Sequence, residues 1–220
     1  MPVPPMPRML EDEPDGRGIE HDLRYNQHDK WGWVIYRTAY GDDAAWERFK
    51  QFVVDNSHQW IVASSVPGIA RNLEWTFVSD QEALDGASTA QLRARFRSWA
   101  EEAIRTENPR ATEDSLSGVW PIQRYSYFIA VNEEALRCVA DVKHPRDWQL
   151  VWVKFVKADW ESDPDEDDGS YELVDGTTEE DVGWMLIMSH TIGADFYDSL
   201  GDDGMHWYTY YTRPPDVCCP

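Results

Sequence analysis

With 220 residues, 42% of them hydrophobic and 13% aromatic, the chain has the length and apolar content for a packed core, which excludes intrinsic disorder. Its formal net charge of -21 is uneven: residues 1–158 hold 24 acids and 19 bases (-5), and residues 159–220 hold 17 acids and one base, Arg213 (-16). A field of that sign repels nucleic-acid phosphate and anionic lipid, so nucleic acid and membrane surfaces are excluded as partners; it reads first as keeping the protein soluble, and it would also suit a basic protein partner.

Residues 1–29 are rich in proline and then in charge, which predicts an extended N-terminal arm. The opening MPVPPMPRMLEDEP has no apolar core of a secretory signal, and no apolar run approaches membrane-spanning length, so the chain reads as cytoplasmic. The stretch 31–54, WGWVIYRTAYGDDAAWERFKQFVV, is a complete strand–turn–helix unit. Trp33, Val34, Ile35 and Tyr36 favour a pleated backbone with two apolar faces, as in an internal strand. Asp42 and Asp43 supply a cap and negative charge for a helix whose buried stripe is Ala45, Trp46, Phe49, Phe52 and Val53.

Gln59–Val66 reads as a short strand closed by Pro67-Gly68, and Leu73–Val78 alternates as a second one. Ser88-Thr89-Ala90-Gln91 is a capping box opening a helix to about Arg105, with Leu92, Phe96, Trp99 and Ala103 inward and Arg93 and Arg97 outward. After a polar connection over residues 111–122, the first plan returns: strand Tyr125–Val131, cap Asn132, acidic turn Glu133-Glu134, and apolar Leu136, Val139 and Ala140. Strands are then expected over 148–156 and 184–188, a helix over 192–200, and a last strand over 205–212, MHWYTYYT, before a tail at 216–220. The order predicts an α+β protein: a ferredoxin-like β-α-β-β-α-β C-terminal half over 123–215, with a smaller related β-α-β-α N-terminal half over 30–110.

The segments WGWVIYRTAYGDDAAWERF, RYSYFIAVNEEAL and EEDVGWMLI resemble a family of intracellular proteins of filamentous fungi that has no established activity. The resemblance spans roughly residues 30–215. It implies an intracellular protein of fungal type and carries over no functional residue.

Chemistry-bearing patterns are sparse. Asp163, Asp165 and Asp167 alternate as at the front of a calcium loop, but the sixth position is Asp168 instead of Gly and the twelfth Val174 instead of Glu. The six histidines form no H-E-x-x-H pair, and Cys138, Cys218 and Cys219 are too few for a disulfide framework or a cysteine zinc site. There is no G-x-S-x-G elbow, P-loop or dinucleotide glycine fingerprint, so no catalytic residue, metal or cofactor is assigned. An RNA-recognition reading of the β-α-β-β-α-β order lacks both its aromatic signature and a basic surround.

Twelve Trp and ten Tyr read mainly as core filling, with an aromatic-lined cleft as the sharper alternative. On the expected last strand His206 and Tyr208 share a face. Together with Tyr36, Arg37, Tyr127 and Trp152 they form the candidate ligand site, His206 as acid or base, Arg37 for an anion, and the aromatics as walls for a small aromatic or apolar ligand. Two functions follow. The first is a soluble intracellular binding module whose acidic 159–181 segment meets a basic protein; the second is a cofactor-independent enzyme or small-molecule binder of the dimeric α/β-barrel kind, on fold analogy.

Overall fold

The computed structural model describes residues 16–117, 122–163, 165, 167, 169–201 and 206–220. Six strands, β1 (Val34–Arg37), β2 (Thr76–Val78), β3 (Tyr127–Val131), β4 (Trp152–Lys157), β5 (Trp184–Met188) and β6 (Val217–Cys218), form one mixed sheet in the order β2-β1-β3-β4-β5-β6. Among the described residues the helices are α1 (Arg17–Arg24), α2 (Asp43–Ala63), α3 (Gln81–Leu84), α4 (Thr89–Thr106), α5 (Glu113–Leu116), α6 (Gln123–Ser126), α7 (Glu133–Asp141), α8 (Ala194–Ser199) and α9 (His206–Tyr210), with 3-10 turns at 67–72, 145–150 and 189–191. None is long and apolar enough to cross a membrane.

β1 is an internal strand, as its two apolar faces require, and every one of its four residues is buried. It pairs in parallel with β2 on one side and β3 on the other, Val34 opposite Phe128 and Arg37 opposite Val131. Trp33, Ile35, Tyr127, Ile129, Phe155 and Ile187 turn to one face, where α2, α7, α8 and α9 bury Phe49, Val139, Phe196 and Trp207. Val34, Tyr36, Phe128, Val156 and Leu186 turn to the other, where α4 lays down Leu92, Phe96 and Ala100. The two strand–cap–helix units thus lie side by side, with Asp42 accepting from Ala45 N and Asn132 from Ala135 N at 2.8 and 3.0 Å.

The ferredoxin-like half is not what this sheet contains. β3 and β4, joined through α7, pair directly and antiparallel, whereas a split β-α-β unit leaves a strand's width between them. The expected last strand is helical from His206 to Tyr210, and the edge is taken instead by the two residues of β6, parallel to β5 in what reads as a tail. Gln59–Val66 likewise continues α2 to Ala63, because Ile61 packs into the core from a helix. The N-terminal arm is helical over Arg17–Arg24, and both sequence halves supply strands to one sheet.

Candidate functional site

The six residues singled out from sequence do not converge. Tyr36 lies on the α4 face and Tyr127 on the α2 face, so the sheet separates them. Burial pushes the Tyr36 phenol up to about 12 and raises that of Tyr127 as well, as expected for core phenols. Trp152 is half-buried on the Tyr36 face. His206 starts α9 and bonds the Ser199 carbonyl through Nδ1, while Tyr208 is 63% exposed with the Lys157 ammonium 5.9 Å from its ring.

Arg37 ends β1 where the following helices leave to opposite faces, α2 after β1 and α4 after β2, the usual ligand crevice of an open α/β sheet. Its guanidinium is already engaged: Nε donates to Ala39 O at 2.8 Å, and Nη2 lies 2.6 Å from Asp43 Oδ1 as an ion pair out of line for a hydrogen bond. It also stacks over Tyr40 at 4.5 Å. The helix starts that would grip a phosphate are capped by their own carboxylates, Asp42 on α2 and Asp80 on α3. An incoming anion has to displace Asp43 and face Asp42 and Asp80.

The residues that do come together belong to the acidic segment. Residues 159–181 carry twelve carboxylates and no Lys or Arg. Val174 and Thr177 close a tight hairpin in which Asp175 and Gly176 have φ of 48 and 96°, the left-handed pair that an Asp-Gly turn supplies. From beneath, Thr89 Oγ1 donates to Asp175 Oδ2 (2.7 Å) and accepts from Lys154 Nζ (2.9 Å). Lys154 lies 3.5 Å over the Trp184 ring, and burial lowers its proton affinity while Asp175 opposes. Through this relay Thr89 fastens the Asp175 hairpin to the start of α4 and to β4.

Arg93 holds the other root of the loop through hydrogen bonds to the carbonyls of Lys157, Val182 and Gly183 at 3.1, 3.2 and 2.8 Å, and it lies 4.7 Å over the Trp160 ring. Burial pulls its guanidinium down to about 10 against the charges of Asp175 and Asp181. Gly183 is obligatory there, since a Cβ would lie 2.4 Å from Arg93 Nη2 and 2.2 Å from Trp160. Inside the loop, buried Glu179 accepts from Ser162 Oγ, from Asp163 N at 3.2 Å and from Thr177 Oγ1 at 2.9 Å. The C-terminal segment clasps the loop from the side: Trp207 Nε1 donates to Asp181 (2.9 Å), Tyr211 Oη to Glu180 O (2.7 Å) and Arg213 Nη2 to Glu172 O (2.7 Å).

With its anchors turned inward, the lobe presents Asp159, Glu161, Asp163, Asp165, Glu172 and Glu180 to solvent, and Tyr171 and Leu173 are 42% and 72% exposed among them. Sequence reasoning finds the charge but misses its supports Thr89, Lys154 and Glu179, and it sets Arg93 outward, whereas the side chain is buried on the carbonyls at the root of the loop. Asp175-Gly176 was the one local signal for them. Among the described residues no three His, Cys, Asp or Glu side chains gather as metal ligands. No protein-family model, no curated protein and no solved structure matches this chain.

Proposed function

We propose that the protein is a cytoplasmic interaction module whose acidic lobe, residues 159–181, docks a basic protein segment. One observation supports this reading: the described residues of the lobe are pinned by Thr89, Arg93, Lys154, Glu179, Trp207 and Tyr211, with carboxylates and two large apolar side chains facing outward. A solvated acidic loop with no role beyond solubility has no need of buried anchors or of an exposed leucine and tyrosine. Preorganised carboxylates lose little entropy on binding, and the field they make speeds encounter with a cationic partner. The compartment follows from the resemblance to intracellular fungal proteins.

Titration with lysine- and arginine-rich peptides, followed by anisotropy at low and high salt, tests it. The expected outcome is saturable binding that weakens steeply with salt and drops several-fold in the Asp165→Asn, Glu172→Gln, Glu180→Gln triple variant. Equal affinity of the triple variant and the wild type overturns the reading.

A further inference from the structure

Resting on that reading, we infer that the acidic lobe contains an arginine subsite built on Tyr171 and the Glu172 carbonyl, and that this chain's own Arg213 occupies it until a partner's arginine displaces it. Arg213 is the single base among residues 159–220. It is seated on the lobe from forty-one residues away, its guanidinium carbon 5.2 Å from the Tyr171 ring centre and its Nη2 donating to Glu172 O at 2.7 Å. A cation over an aromatic face with a carbonyl acceptor beside it favours a planar guanidinium, which can cover the ring and donate sideways at once, over the more strongly hydrated ammonium.

The internal occupant fits imperfectly. Arg213 Nε is buried without a hydrogen-bond partner, and among the described residues the guanidinium makes no ion pair with any carboxylate. The chain holds it there by tethering: Tyr211, two residues earlier, is fixed to Glu180 O, and Pro214 behind it is buried. A tethered group competes at high effective concentration even when its contacts are incomplete. A partner's arginine arriving from solvent can take the same ring and carbonyl while its basic neighbours face the exposed carboxylates of the lobe, so it wins only when enough of those neighbours come with it. Arg213 thereby sets a threshold against stray single arginines.

The test uses the full chain and its Arg213→Ala and Arg213→Lys variants, with N-acetyl-arginine amide as the probe, N-acetyl-lysine amide as the control, and the Glu172 and Leu173 backbone amide shifts as the NMR readout. Both variants are expected to respond saturably to the arginine amide, several-fold more strongly than wild type and more strongly than to the lysine amide. Adding Tyr171→Ala is expected to abolish the response. Arginine-rich peptide is expected to bind Arg213→Ala several-fold tighter than wild type. An arginine-amide response that is absent in both variants, or equal in wild type and variants, overturns the inference while leaving peptide binding by the lobe intact. A subsite response without peptide binding instead overturns the docking reading and upholds the subsite.

Discussion

Arg124 and Arg93 are both buried cations, and they are satisfied in opposite ways. Arg124 is fully buried where the chain enters β1, β2 and β3, with Nε and Nη2 on the two Glu107 oxygens at 2.7 and 3.0 Å and further bonds to Gly32 O, Glu74 O and Thr76 Oγ1. Lys30 and Tyr125 converge on the same carboxylate. Glu107→Gln therefore strands a buried charge, and denaturant titration should show a loss of about 3–5 kcal/mol. Burial by itself pushes the Glu107 carboxyl up, but hydrogen bonds and charge from Arg124, with Lys30 and Tyr125, outweigh it and hold it below its usual 4.5. Its folded value lies under its unfolded one, so the stabilisation is present above the usual range and is lost as pH falls through the folded value. Acid titrations followed by circular dichroism should show wild type losing stability more steeply below about pH 4.5 than Glu107→Gln does. None of this is legible in the sequence, where Glu107 ends one helix and Arg124 opens another with no pattern joining them.

Among elements, α1 depends most on a distant residue. The Asp198 carboxylate of α8 accepts from Gly16 N, Gly18 N and Ile19 N at 3.1, 3.3 and 2.8 Å, capping a helix about 180 positions earlier. A Cβ on Gly18 would lie 2.4 Å from Asp198 Oδ1, so any larger residue there pushes the capping carboxylate away. Asp198→Ala should cost about 0.5–2 kcal/mol, the range for a lost cap. Limited trypsin digestion should then cut at Arg17 and Arg24 several-fold faster, while Asp198→Asn, which keeps an acceptor, is cut at an intermediate rate. Sequence reasoning sees local partners, which is why α4 with its Ser88–Gln91 capping box was readable and α1 was not. In α9 the period itself was ambiguous: MHWYTYYT alternates like a strand, yet Trp207 and Tyr211 also stand four apart. The helix won because Trp207 inserts beside Tyr127 and Phe155 while its indole and the Tyr211 hydroxyl reach the acidic loop. β1 and β3 were legible because their apolar runs satisfy the sheet interior locally; the antiparallel docking of β4 on β3 is set by packing across the chain and left no mark.

On the scale of the whole molecule the question is whether the acidic lobe is held together in spite of its charge. The C-terminal segment carries -16, and like charges on one surface repel with a strength that salt screens over about 8–10 Å. The carboxylates of Asp165, Glu172 and Glu180 are exposed. Neutralising them as Asn and Gln should raise the melting temperature at low salt by relieving repulsion, by about 0.2–1 kcal/mol per site or less, and the gain should fade at high salt. Glu179 is the counter-case with the same charge. It is 3% exposed and is the acceptor on which Ser162, Asp163 and Thr177 converge. Glu179→Ala removes the same unit of negative charge but leaves buried donors unmet, at about 1–3 kcal/mol, so its melting temperature should fall at every salt concentration. Opposite signs from charge changes in the same direction are the mark of a scaffolded surface, since an unanchored acidic loop responds to charge alone. A Glu179→Ala melting temperature that rises with that of the triple variant would remove the anchors from the account and the preorganised docking surface with them.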